Sequence, residues 1–472
     1  MQKTTGKQSE LGKKVLVLLY NRFTNDSRVL KTCTSLVNAG YQVELWASYG
    51  ANLPEHEVIN GFIVRRIFGK PVPARTSATP MPLTGTAPRS RRALARAGSG
   101  IPDALATAGR LARHSLRISA KLLQRVAPGF HDRLKQRYIV VERALVRAAK
   151  PARRAARRTL STVKRQTDQI LDAGAYADFD YIHCNDLSPL PLATAMKARA
   201  PGLKLIYDSH EYQTESAGLI GKPEKKLQFE KMERDNILFA DSVITVGVSI
   251  AEEYRRLYGL ERVHVVRNCP PLTPDQIENE YFREKYRLSE DDMIFLYQGG
   301  LMKNVRGLEE TLNCFIRLNK AGFSRHFIVF MGYGNMEDEI RSAAQTYSNI
   351  LFHPSIPPDR IPEVSSSADY GTIFIPNNCL SYFHSLPNKL FEYIVCGLPI
   401  VTTPLYDIRN LIEEEGIGYA TSDFSEDAIY ETLTRIDARP SRQLRARIRA
   451  LHRDKYHWGI EERALLEAYR DT

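Results

Sequence analysis

Apolar runs and helix-period segments alternate along this chain in two separate series, and that alternation calls for layered α/β domains with parallel sheets. The first series begins with KKVLVLLY, a continuous apolar run that reads as a strand covered on both faces. NRFTNDSRVLKTCTSLVNAG follows. Asp26 and Ser27 are placed to cap a helix, Val29, Leu30, Cys33, Leu36 and Val37 keep helical spacing, and Gly40 closes it. YQVELWAS and GFIVRRIF read as further strands. The rhythm resumes with FDYIHCND, the helix PLPLATAMKARA and the strand LKLIYDSHE. A polar helix near Glu224–Phe239 precedes the strands DSVITVGVS and HVVRN.

Pro270, Pro271 and Pro274 then break the chain. A second series starts at MIFLYQGG and runs through GLEETLNCFIRLNKAG, HFIVFMGYG, NILFHP, YGTIFIP, NKLFEYIVCG and PIVTT. The expected architecture is two facing Rossmann-like domains, each a doubly wound parallel sheet. The first spans 13–269, a linker 270–290, the second 291–440, and a helical tail 441–472 ends in YHWGIEERALLEAYRDT.

One segment interrupts the first series. Residues 71–170 hold 22 Lys+Arg against 4 Asp+Glu, leaving 44 against 50 for the rest of the chain. The formal charge of +12 therefore belongs to an insert, and the pI of 9.3 is no sign that the whole protein binds nucleic acid. The insert opens as a Pro/Thr/Ser-rich stretch with the composition of disorder and continues as Ala/Arg-rich helix. Within 104–165, Arg110, Arg113, Arg117, Lys121 and Arg125 form one stripe beside Leu111, Ile118, Leu122 and Val126. That is the pattern of a cationic helix on an anionic membrane surface. A solvated arm packed on its own domain fits the same residues. The stripe lacks interleaved aromatics, so no nucleic-acid partner is expected.

Other classes fall away on composition. Mean hydropathy is −0.33, and no apolar run approaches the roughly 18 residues of a spanning helix. VLVLLY is too short for a signal-peptide core, so a cytoplasmic protein is expected, peripheral at most on the inner face of the cytoplasmic membrane. The six cysteines lie far apart without a CxxC pair, which reads as buried reduced thiols.

Ligands of open parallel sheets bind beyond the carboxyl ends of the strands. In the first domain those ends carry Tyr20-Asn21-Arg22, His183-Cys184-Asn185-Asp186 and Asp208-Ser209-His210-Glu211. Singly, Asp186 or Asp208 could cap a helix; together the three ends suggest a pocket. In the second domain Gly299 and Gly300 permit close backbone approach, and Arg306 offers a guanidinium fork for phosphate oxygens. The sequence MGYGNM is too sparse in glycine for a dinucleotide fingerprint. NNCLSYFHSLPNKLFEYIVCGLPIV is the richest stretch, with Ser385 in a small polar loop and a helix starting near Asn388. The free amides of such a helix suit a diphosphate. Lys389 in its first turn opposes the helix dipole unless an anion sits there, and Glu392 one turn on is placed to accept hydrogen bonds from sugar or ribose hydroxyls.

With these residues in place the chain resembles the family 4 retaining glycosyltransferases of the GT-B fold, bacterial polysaccharide type, over residues 13–70 and 171–472. NDSRVLKTCTSLVNAGYQV resembles the family's first loop and helix, HCND with LIYDSHE its acceptor-side strand ends, YQGGL with Arg306-Gly307 its diphosphate-holding loop, and YHWGIEERALLEAY the helix that crosses back to the first domain. Glu392 matches the second of two glutamates separated by seven residues, which in the family binds the donor ribose; the first falls at His384, and Gly300 replaces a common basic residue. The resemblance implies transfer of a sugar from a nucleotide-diphosphate sugar to a saccharide or lipid-linked acceptor hydroxyl. It implies retention, no metal and no cofactor. Gly299, Gly300, Arg306, Ser385, Asn388, Lys389 and Glu392 would serve the donor. Asp186, His210 and Glu211 are assigned to catalysis on the acceptor and sugar side. Two other readings share the fold: a sugar-nucleotide epimerase or hydrolase, and a non-catalytic relative, which His384 would favour.

Overall fold

A computed structural model of the chain describes residues 12–69, 167–274, 279–303 and 306–472. Chain contacts divide it into two units, residues 1–67 with 176–472, and residues 68–175. Of the second unit, residues 167–173 are helical; the basic stripe predicted within 104–165 lies outside the described residues. The first unit carries two sheets.

The N-terminal sheet has eight strands in the order β3-β4-β2-β1-β5-β6-β7-β8. These are β1 (Lys14–Leu18), β2 (Gln42–Ser48), β3 (His56–Ile59), β4 (Phe62–Phe68), β5 (Tyr181–Asn185), β6 (Lys204–Ser209), β7 (Ser242–Thr245) and β8 (Val263–Val265). The ladders joining β2, β1, β5, β6, β7 and β8 are parallel. β3, paired antiparallel with β4 through the Asn60-Gly61 turn, escaped the sequence reading, as did the short strand Gly418–Ala420 of the other sheet. The residues of β3 alternate between exposed and half-buried, so it lacks the apolar run that marks the central strands.

The C-terminal sheet is wholly parallel, in the order β11-β10-β9-β12-β13-β14. Its strands are β9 (Met293–Gly300), β10 (His326–Tyr333), β11 (Ile350–Pro354), β12 (Tyr370–Ile373), β13 (Ile400–Thr402) and β14 (Gly418–Ala420). Two glycines set the spacing near the ligand-facing edge. Gly307 begins helix Leu308–Lys320 at φ +65°, and a Cβ there would lie 1.6 Å from the Phe374 carbonyl oxygen. Gly371 lets the Tyr393 ring lie against β12, where a Cβ would come within 2.3 Å of it. Helix Asn388–Cys396 follows Pro387 and closes on Gly397 in the left-handed region, burying Leu390, Phe391, Tyr393 and Ile394. Among the described residues no helix is long and apolar enough to cross a membrane.

The last helix, Trp458–Arg470, leaves the second sheet and joins the core of the first. Trp458 donates its backbone N–H to Pro270 O and its indole N–H to Ser35 Oγ. Glu461, fully buried, takes the Arg267 guanidinium and backbone N–H at 2.7–2.8 Å. Tyr469 stacks on His183 and its hydroxyl lies 3.0 Å from His183 Nδ1.

Register aligns the polar strand ends. Leu18 is level with Cys184 and Asn185 with Asp208, so the ends of β1, β5 and β6 adjoin. Beneath them Arg28, on helix Ser27–Asn38, forks onto Asp208 at 2.6 and 3.1 Å and donates to Val266 O at 2.7 Å. Both side chains are buried. Burial alone would raise the Asp208 carboxyl; Arg28 and then His210 override it and hold the group well below the usual carboxylate range. A lowered acid contributes stability that is present at neutral pH and is lost only as pH falls through its folded-state value. Arg28→Met strands the carboxylate in the core and is expected to cost about 3–5 kcal/mol in urea unfolding; a loss below about 1 kcal/mol would mean that the pair is not desolvated.

Candidate active site

A cleft of about 400 Å³ opens between the carboxyl ends of the two sheets. Its N-terminal wall is the turn after β6. The imidazole of His210 is held on three sides: Nε2 lies 3.1 Å from Asn185 Oδ1 and 3.4 Å from Asp208 Oδ2, and Nδ1 lies 3.5 Å from Asp186 Oδ2. Burial favours the neutral ring, but the charges of Asp186 and Asp208 outweigh it and raise the His210 pKa. Asp186 sits at φ +64° and reaches back to accept the His210 backbone N–H and the Gln213 amide. Glu211 is raised by burial and by Asp186, and accepts a 3.2 Å hydrogen bond from Ser381 Oγ of the other lobe.

The opposite wall comes from the end of β9 and the start of helix Asn388–Cys396. Gln298 links two elements, receiving Ser365 Oγ at 2.7 Å and donating to Glu392. Burial raises the Glu392 carboxyl; Gln298, Lys389 and Lys31 oppose it. Arg306 faces the cleft from the loop before helix Leu308–Lys320. The Lys389 amine is buried over the Tyr297 ring, 4.1 Å from its centroid.

His210, Glu211, Gly299, Arg306, Ser385, Asn388, Lys389 and Glu392 thus come together on the lining. Asp186 and Gly300 do not. Asp186 stands behind His210 as its partner, and Gly300 accepts the Tyr297 hydroxyl at 3.1 Å through its carbonyl. Gln298, Ser381 and Tyr382 also line the cleft; they fall within YQGGL and NNCLSYFHSLPN but were not among the residues assigned to the site. Gln298 had a signal there, being the polar residue that ends the run Met293–Tyr297. His384, at the position of the family's first glutamate, lies outside the lining. Its Nδ1 approaches Ser249 Oγ at 2.8 Å, and Ser249 donates to Asp407 Oδ2 at 2.6 Å, a clasp from the C-terminal lobe onto the start of helix Val248–Tyr258. Asn268 adds a third tie, donating to Asn388 Oδ1 at 3.0 Å. Among the described residues no group of three or more His, Cys, Asp or Glu side chains is arranged to hold a metal ion.

Two family models match the chain. Residues 102–269 match the glycosyl transferase 4-like domain, and residues 278–453 match the glycosyl transferases group 1. The chain is a GT-B glycosyltransferase. No curated protein matches it by sequence. Solved structures match this glycosyltransferase over nearly its whole length. Sucrose-phosphate synthase from Thermosynechococcus elongatus is 15% identical with a TM-score of 0.56, covering 97% of this chain and 98% of that one. HepE from Anabaena, solved in complex with UDP-glucose, is 11% identical with a TM-score of 0.58, covering 98% and 100%. WaaG, a glycosyltransferase involved in lipopolysaccharide biosynthesis, is 14% identical with a TM-score of 0.52, covering 96% and 98%. At such identities the likeness is one of fold.

The geometry around His210 has a direct readout. In NMR titrations its ring is expected to deprotonate above the ordinary histidine value, and Asp186→Asn, which tolerates the left-handed backbone, should bring it down. An unchanged titration in that variant would remove Asp186 from the role assigned to it.

Proposed function

We propose that this glycosyltransferase takes its sugar from a nucleoside-diphosphate sugar and passes it with retention, without a metal, to a hydroxyl of a saccharide or lipid-linked acceptor in surface polysaccharide or glycolipid assembly. One observation carries the donor class: Arg306, Lys389 and the amide end of helix Asn388–Cys396 converge on one cleft, with Glu392 a turn deeper. A guanidinium, an amine and helix amides turned on one point suit a diphosphate and act most strongly where water is displaced. Glu392, carrying a hydrogen bond from Gln298, has acceptor capacity left for ribose hydroxyls. HepE, bound to UDP-glucose in its solved structure, supports the same class.

In the reaction the bond between the sugar C1 and the β-phosphate oxygen breaks, the acceptor oxygen bonds to C1, and the acceptor proton leaves with the diphosphate. The demanding feature is negative charge gathering on the leaving group as C1 becomes oxocarbenium-like. Arg306 faces that charge directly, with Lys389 and the helix amides behind it. His210 and Glu211, on the opposite wall, hold the hydroxyls of sugar and acceptor, and Asp186 fixes the ring of His210. Ser381, bonded to Glu211 across the cleft, links binding on one lobe to the other.

Arg306→Ala is expected to lower kcat/KM by about a hundred- to a thousandfold, the scale of losing one preorganised donor to developing charge. Near-normal turnover, measured as nucleoside-diphosphate release with acceptor present, would overturn the donor-site assignment. Release that does not require acceptor would favour hydrolysis.

The proposed partner of the insert is an anionic membrane surface, on the strength of its charge and its paired cationic and apolar stripes. Removing residues 72–165 should leave donor turnover intact and weaken co-sedimentation with phosphatidylglycerol vesicles. Equal co-sedimentation of both forms would retire the membrane partner.

A further inference from the structure

Lys389 is buried without a hydrogen bond or an ion pair among the described residues. The side chain is 5% exposed, its Nζ has no hydrogen-bond partner, and among the described residues no carboxylate oxygen stands within ion-pair distance. It occupies the first turn of a helix, whose dipole end repels a cation. Arg306 shares the cleft with it, and the face of the Tyr297 ring beneath gives the charged form a modest attraction. Glu392, one turn on, is engaged by Gln298 and is also faced by Lys31 from helix Ser27–Asn38. His210 and Glu211 close the far wall. A buried amine so placed sheds its proton, because desolvation and a neighbouring guanidinium both penalise its charged form.

The cleft that lacks a bound anion therefore holds one firm positive charge where a diphosphate calls for two. Gly300, at the end of β9, has no side chain with which to supply the second. Building on the donor reading above, we propose that binding of a sugar nucleotide takes up one proton, carried by Lys389, so that the second cation of the site is created by the substrate it neutralises. Direction and size agree with the surroundings. Burial, then Arg306, lower the amine to about 7, with Glu392 acting against them. A diphosphate entering beside Arg306 reverses the local field and restores the ammonium. A group near neutrality is the one whose charge a ligand can switch; a lysine at its ordinary value would be charged throughout, and would leave the site with a standing, uncompensated repulsion.

The linkage has a sign. Below the amine's value in the empty site Lys389 is already charged and no proton is taken up. Above it, uptake approaches one proton per site, and donor affinity falls by about tenfold between about pH 6 and about pH 8. Isothermal titration calorimetry reads this directly when repeated in two buffers of different ionisation enthalpy. The probes are UDP-glucose, GDP-mannose and ADP-glucose, whose esterified diphosphates do not titrate in this range. For the probe that binds, the expected uptake is close to zero at the lower pH and close to one at the higher. Lys389→Met should abolish the buffer dependence, and Lys389→Arg, charged at both values, should bind with affinity independent of pH and without proton uptake. Equal binding enthalpies in the two buffers at the higher pH would overturn the proposal while leaving the donor site standing, as would uptake that persists in Lys389→Met. Failure of all three probes to bind the natural chain would instead overturn the donor reading, and this inference with it.

Discussion

The buried pair of Arg28 and Asp208 is the contact on which the N-terminal half of the site rests. Its three hydrogen bonds join the first helix, the end of β6 and the chain just past β8. Through its second oxygen Asp208 also meets His183 and His210, so one carboxylate faces the core on one side and the cleft on the other. Two charges this deep are stable only as a pair with their remaining lone pairs satisfied, which ties the position of the imidazole to the integrity of the fold.

The site divides its chemistry between lobes. Glu211 and the imidazole of His210 stand on the N-terminal wall, and Arg306, Lys389 and Glu392 with the helix amides on the C-terminal one. Polar ties between the walls run through the loop that begins after β12: Ser381 to Glu211, and His384 to Ser249. His384, the residue that the resemblance sets against a glutamate, serves here as a joint between lobes.

The strands were legible because parallel strands covered on both faces must be apolar at almost every position; MIFLYQGG in the sequence is β9 in the structure, end for end. β3 was not, since an edge hairpin strand with half its residues in water carries no such run. The same logic divides the site. Strand ends and the Pro-Asn-Lys helix start could be found locally, and most of the residues they flagged face one cleft. The sequence could not show that Asp186 supports His210 from behind, because that depends on register between β5 and β6. Nor could it show the clasp of Ser249 and Asp407, 158 positions apart. The partnerless amine of Lys389 is likewise a property of packing: the residue type was visible, its isolation was not.

The helix Trp458–Arg470 has a consequence for how the chain is made. It supplies Trp458, Leu465, Ala468 and Tyr469 to the core of the first sheet, yet it follows the entire second lobe in the chain. A ribosome therefore delivers all eight strands of this sheet, then the whole of the other lobe, before the segment that covers the first helix and the β7–β8 face. Until then that face stays open, and apolar surface left open during synthesis is where misassembly begins. The second lobe can finish folding on its own schedule, while the first, begun earlier, is completed last.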